Sequence, residues 1–155
     1  MNKFEELHQE ATDANIDVIN YHFNSQRIKG LYSNGTIALK DTIETTTEKA
    51  CILSEELGHY YTTVGNILDQ SKTENRKQEL RARAWAYNKL IGLMGIVKSY
   101  EHGCHSIHET ADFLNVTEDF LGEALCYYRN KYGVYTTIDN YIIYFEPGLC
   151  VGKLI

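Results

Sequence analysis

Between Arg27 and Tyr61 the hydrophobic period of the sequence switches from two to about 3.6, and that switch limits the chain to folds that mix strands with helices. Two short apolar runs, Ile28–Tyr32 and Thr36–Leu39, flank Ser33-Asn34-Gly35. Asn and Gly both tolerate positive φ, so Asn34-Gly35 predicts a tight hairpin turn and a small antiparallel sheet. Directly afterwards Thr45-Thr46-Thr47-Glu48 has capping-box spacing, and Ala50, Leu53, Leu57, Tyr60 and Tyr61 recur at helical intervals. Together they predict a helix from about Thr46 to Tyr61.

The remaining text is mainly helical. Phe4, Leu7 and Ala11 share one face of a helix over Lys3–Ala14, whereas Asp17–Phe23 alternates too unevenly to assign. A polar linker, Asp69–Asn75, leads into a long helical pattern through Leu80, Ala84, Trp85, Tyr87, Leu90 and Ile91 that should end near Gly92 or Gly95. From Ser106 to Lys131 the outline is helix-turn-helix-like: a short helix over His108–Leu114, a turn at Asn115-Val116, and Thr117 capping a second helix. Val134–Phe145 reads as a β-hairpin around Asp139-Asn140, closed by Pro147. The expected fold is therefore α+β, mainly helical, with a small antiparallel sheet beside the Thr46–Tyr61 helix, a helix-turn-helix-like segment and a C-terminal hairpin. We expect one domain over residues 1–155, with a core in 1–100 and a helical and β subregion in 101–155.

A chain of 155 residues can bury enough surface to fold without a metal or a disulfide, so any metal it binds should serve chemistry. Its formal charge of −6 disfavours a phosphate-backbone partner, because nucleic-acid binders usually present a basic face. Cys51, Cys104, Cys126 and Cys150 form no CxxC pair and read as reduced thiols. The polar start and the lack of a long apolar run lead us to expect a cytoplasmic protein with no membrane partner.

The candidate chemistry lies in Glu55-Glu56-Leu57-Gly58-His59. Side chains four residues apart share one helical face and can grip one metal ion, while an acid next to the first ligand can hold the attacking water; that is the logic of the HExxH pattern. Here a carboxylate stands in the place of the first histidine. Glu55 and His59 are the candidate helix ligands and Glu56 the candidate general base, although an acid at i,i+4 from a histidine also occurs on many solvated helices. Other groups have plainer readings. His102, Cys104, His105 and His108 crowd a loop without a partner pair at zinc-finger spacing, and Cys51 reads as core.

Ile28-Lys29-Gly30-Leu31-Tyr32, Thr36-Ile37-Ala38-Leu39 and Ala50 through Tyr61, taken in order with Lys77–Ala86 and Glu109–Gly133, resemble the ImmA/IrrE family of metallopeptidases. The resemblance implies an edge strand before the metal helix, a following helix whose acidic residue supplies the third ligand, and cleavage of a helix-turn-helix repressor encoded by a phage or mobile element. On it Glu56 matches the base, Glu55 and His59 the two helix ligands, and Glu79 the third ligand, with Glu74 as fallback and an Arg83 ion pair as the plain alternative for Glu79. It implies one divalent ion, Zn²⁺ ahead of Mn²⁺ or Fe²⁺. Two alternatives stay open: a metal-free pseudopeptidase that binds a repressor by protein contact, and a DNA-binding regulator, which the acidic turn at Glu118 and Asp119 disfavours.

Overall fold

The computed structural model describes residues 1–63 and 72–155, the side chains of 72–74 excepted. The chain divides into two compact units, Met1–Ala86 and Tyr87–Ile155.

In the first unit, α1 (Lys3–Asp13) starts at a reciprocal cap: the Glu5 N–H donates to Asn2 Oδ1 at 2.8 Å and the Asn2 N–H to Glu5 Oε2 at 3.1 Å. Those bonds satisfy donors that a helix start leaves orphaned. The segment Asp17–Phe23, unassigned from sequence, contributes strand β1 (Asp17–Tyr21). Strands β2 (Gly30–Ser33) and β3 (Thr36–Lys40) form the expected hairpin, with Ser33 opposite Thr36 and with Asn34 and Gly35 at φ of 46° and 79°. β1 joins the other side of β3 in parallel, so the three-stranded sheet is mixed and has the order β1-β3-β2. The uneven pattern of β1 has a physical reason: four of its five residues are exposed, so no buried face imposes an alternation.

Helix α2 (Thr46–Thr62) lies against α1, β2 and β3. Thr45 Oγ1 accepts the Glu48 N–H at 3.1 Å, while the Glu48 carboxylate takes Lys29 Nζ at 2.9 Å. Leu53 and Leu57 are fully buried, as are Leu7, Ala11, Ile37 and Leu39, and this cluster fixes which face of α2 is left for chemistry. Part of the expected linker, residues 69–71, lies outside the described residues; from Lys72 onward the chain is already helix α3 (Lys72–Leu90), so the Lys72–Asn75 part of the linker is corrected.

The second unit takes the end of α3 and continues with α4 (Gly92–His102), a helix not expected from the sequence. Gly92, at φ 65°, turns the chain at the point where the helical pattern was expected to end, and a new helix starts there. Next come α5 (Ile107–Leu114), capped by Ser106, and α6 (Glu118–Tyr132), capped by Thr117, with Asn115 left-handed between them. Strands β4 (Tyr135–Ile138) and β5 (Tyr141–Tyr144) pair across Asp139. Pro147 does not close the sheet, because β6 (Cys150–Lys153) pairs with β5 beyond it. At four residues and with Gly152 inside it, β6 leaves little strand signal. Tyr128 sits fully buried here and donates its hydroxyl to Asn88 Oδ1 at 3.0 Å. The fold is α+β, with six helices and two small sheets among the described residues.

Candidate functional site

Burying Leu53 and Leu57 on one side of α2 leaves Glu55, Glu56 and His59 partly buried on its flank. His59 meets α3. Its Nε2 stands 3.2 Å from Glu79 Oε1, the His59 side chain 22% exposed and that of Glu79 54%. Among the described residues no ion pair joins Glu79 to its alternative partner, Arg83. Glu74, the fallback, has its side chain outside the described residues.

Glu56 faces the hairpin. Burial, the charges of Glu55 and then of Glu79 push its carboxyl up to about 7, against the Tyr32 backbone N–H that hydrogen-bonds the carboxylate and favours its ionised form. Gly30 permits this approach: a Cβ there would lie 2.6 Å from Ile52 Cγ2 and 3.1 Å from Glu56 Cγ. β2 therefore runs close along α2 at the acid, as a glycine within a strand run often signals. The sequence reading placed Gly30 in the strand without seeing this role, and the Tyr32 N–H left no side-chain signature to find.

The aromatic residues beside His59 are engaged with one another. Tyr60 meets Tyr32 edge-on at 5.8 Å, and Tyr61 stacks on Trp85 at 5.0 Å with an angle of 25° between the rings. The Tyr61 hydroxyl donates to Glu10 Oε1 at 3.3 Å, which directs it toward α1. In the second unit the histidine-rich loop has other partners: His102 stacks on Phe113 and His108 Nδ1 lies 3.8 Å from Glu118.

Residues 11–125, well over half of the chain, match the family model of the IrrE N-terminal-like domain, Peptidase M78. The chain belongs to this family. No curated protein and no solved structure gave a match. Membership makes it a metallopeptidase-family protein, which implies a metal cofactor and a protein substrate. Among the described residues, no helix is long and apolar enough to cross a membrane.

Whether this metallopeptidase-family chain fits a metal can be asked of its donors. Two ligands about 2.0–2.2 Å from one tetrahedral ion stand roughly 3.3–3.6 Å apart. His59 and Glu79, an imidazole–carboxylate contact at 3.2 Å, lie close to that spacing, and an imidazole beside carboxylates suits a borderline or hard divalent ion. No cluster of three such donors is assembled among the described residues. Glu55, one helical turn before His59, shares its helix flank and lies near enough to Glu56 to raise its pKa. The donor types present suit a divalent ion, and two of them, His59 and Glu79, are in contact.

Proposed function

We propose that the chain is a metallo-endopeptidase in which Glu55, His59 and Glu79 hold one divalent ion, Zn²⁺ ahead of Mn²⁺ or Fe²⁺, and Glu56 is the general base. The observation that carries this reading is the 3.2 Å approach of His59 to Glu79 beside the half-buried Glu56 carboxyl. Burial, the largest cause of the raised Glu56 carboxyl and one that does not depend on the neighbouring carboxylates, favours its taking a proton from water and returning it to a leaving amine. The ion, when bound, supplies Lewis-acid polarisation of the scissile carbonyl and the attacking water. Two carboxylates and a neutral imidazole cancel the charge of a divalent ion, which favours a harder ion or a slower enzyme than a site with two histidines.

The substrate in this reading is a helix-turn-helix repressor, and its cleavage relieves repression in a phage or mobile element. Transcriptional repressors act in the cytoplasm, which is where this protease would meet one. The test is co-expression with a helix-turn-helix repressor, the first candidate being any such protein encoded beside this one. Wild type should cleave the repressor, whereas Glu56→Gln should bind it and leave it whole, because the amide keeps the shape and loses the base. Undiminished cleavage by Glu56→Gln would remove Glu56 from the mechanism, and binding without cleavage by wild type would favour a pseudopeptidase.

A further inference from the structure

Helices α2 and α3 meet at Gly58 and Ala82, and the contact is made backbone to backbone. A Cβ on Gly58 would stand 2.3 Å from the Ala82 carbonyl oxygen, 2.9 Å from its carbonyl carbon and 3.0 Å from its Cα. None of these atoms can swing aside as a side-chain end would. Gly58 is buried and Ala82 is 0% exposed, so the contact lies inside the packed interface of the two helices. Glycine inside a helix is otherwise unfavourable relative to alanine, so a local preference does not account for it. His59 follows Gly58 directly, and Glu79 lies three residues before Ala82 on the same α3 flank.

We propose that Gly58 is a positioning residue: its missing side chain lets α3 approach α2 closely enough to set the His59–Glu79 spacing. The inference rests on the reading of His59 and Glu79 as ligands of one ion. Carbon and carbonyl oxygen settle no closer than about 3.3 Å, so a methyl at position 58 would drive the helices apart by roughly 1 Å. Metal sites hold their ligand distances to about 0.2 Å, so after a displacement of roughly 1 Å His59 and Glu79 must re-aim their side chains to share one ion, which weakens its binding. Ala82→Gly would not relieve it, since the obstructing atoms are backbone.

The chain carries its own gauge of this spacing. Tyr61 and Trp85, each three residues beyond the contact on its helix, stack at 5.0 Å, and Trp85 is the one tryptophan of the sequence. The emission of Trp85 in chelator-treated protein therefore reads the helix separation without any metal, and Zn²⁺ calorimetry reads the site itself. Wild type, Gly58→Ala, Gly58→Ala with Ala82→Gly, and Gly122→Ala would be compared. Gly122, inside α6, has open space around a built Cβ and controls for the gain in helix propensity.

Gly58→Ala should remain folded by circular dichroism, shift the metal-free Trp85 emission and weaken Zn²⁺ binding about tenfold or more. Ala82→Gly should rescue neither property, and Gly122→Ala should change neither. Unchanged Trp85 emission in a folded Gly58→Ala protein would overturn the spacing role whatever the metal data say. A shifted emission with undiminished Zn²⁺ affinity would overturn the link to the ligands. Failure of wild type itself to bind Zn²⁺ would instead defeat the ligand reading, and the emission would still decide the spacing. Should Gly58→Ala unfold, it would be repeated in the Gly122→Ala background. Unfolding there too would overturn the proposal, because the glycine would then support the whole fold and not one distance.

Discussion

The backbone N–H of Tyr32 is hydrogen-bonded to the carboxylate of Glu56, joining the edge of the hairpin to the acid on α2. This donor favours the ionised carboxylate, yet burial and the two neighbouring carboxylates outweigh it, and the folded-state value rises from 4.5 to about 7.

A pH dependence of stability follows. The unfolded chain releases the Glu56 proton near 4.5 and the folded chain only near 7, so between those values the folded state binds more protons. The metal-free protein should therefore lose stability as pH rises through that window, by on the order of 2 kcal/mol from this one group. Glu56→Gln should remove most of that loss and be the more stable protein at pH 8. Urea unfolding at pH 5 and pH 8 with chelator present would check this. The same stability difference between wild type and variant at both values would contradict it.

The legible parts of the fold were those written locally. Asn34-Gly35 needs two positive φ angles, Thr45, Ser106 and Thr117 each accept the N–H of a residue three positions on, and Leu53 with Leu57 sets the buried face of α2. β1 was not legible because only the tertiary pairing with β3 makes it a strand, and α4 was not assigned because the helical pattern was expected to end near Gly92 or Gly95, where the chain turns at Gly92 and starts a new helix. The same division runs through the candidate site. The i,i+4 spacing of Glu55 and His59 and the place of Glu56 between them can be read along one helix. Glu79 was nominated by resemblance, and its contact with His59 depends on how α3 crosses α2. The Tyr32 N–H beside Glu56 and the Ala82 carbonyl beside Gly58 are backbone groups that every residue type shares.

The carboxylate at position 55 makes a prediction about ion choice. Glu55→His replaces a charged oxygen donor with a neutral imidazole, so a bound Zn²⁺ would keep a net positive charge. Competitive titration should show the variant holding one ion per chain and shifting its preference from Mn²⁺ toward Zn²⁺, while Glu55→Ala binds both more weakly. Identical affinities in all three proteins would make Glu55 a solvated helix residue.

Packing and surface charge around α2 should separate cleanly in a stability measurement. Leu57 is 0% exposed, and Leu57→Ala should cost about 2–5 kcal/mol through lost burial and a residual cavity. Lys29 pairs with Glu48 at 2.9 Å, but with side chains 56% and 35% exposed, so Lys29→Ala should cost no more than about 1 kcal/mol. Chemical denaturation of both variants would test the ranking. A Leu57→Ala protein as stable as Lys29→Ala would mean that α2 is not seated on the sheet by its apolar face.

Metal binding by purified protein tests the central claim most directly. Elemental analysis and calorimetry should find one divalent ion per chain in wild type, with binding lost in His59→Ala and strongly weakened in Glu79→Ala, both proteins staying folded. A folded wild-type protein that binds none of Zn²⁺, Mn²⁺ and Fe²⁺, or one whose binding survives both substitutions unchanged, would contradict the account.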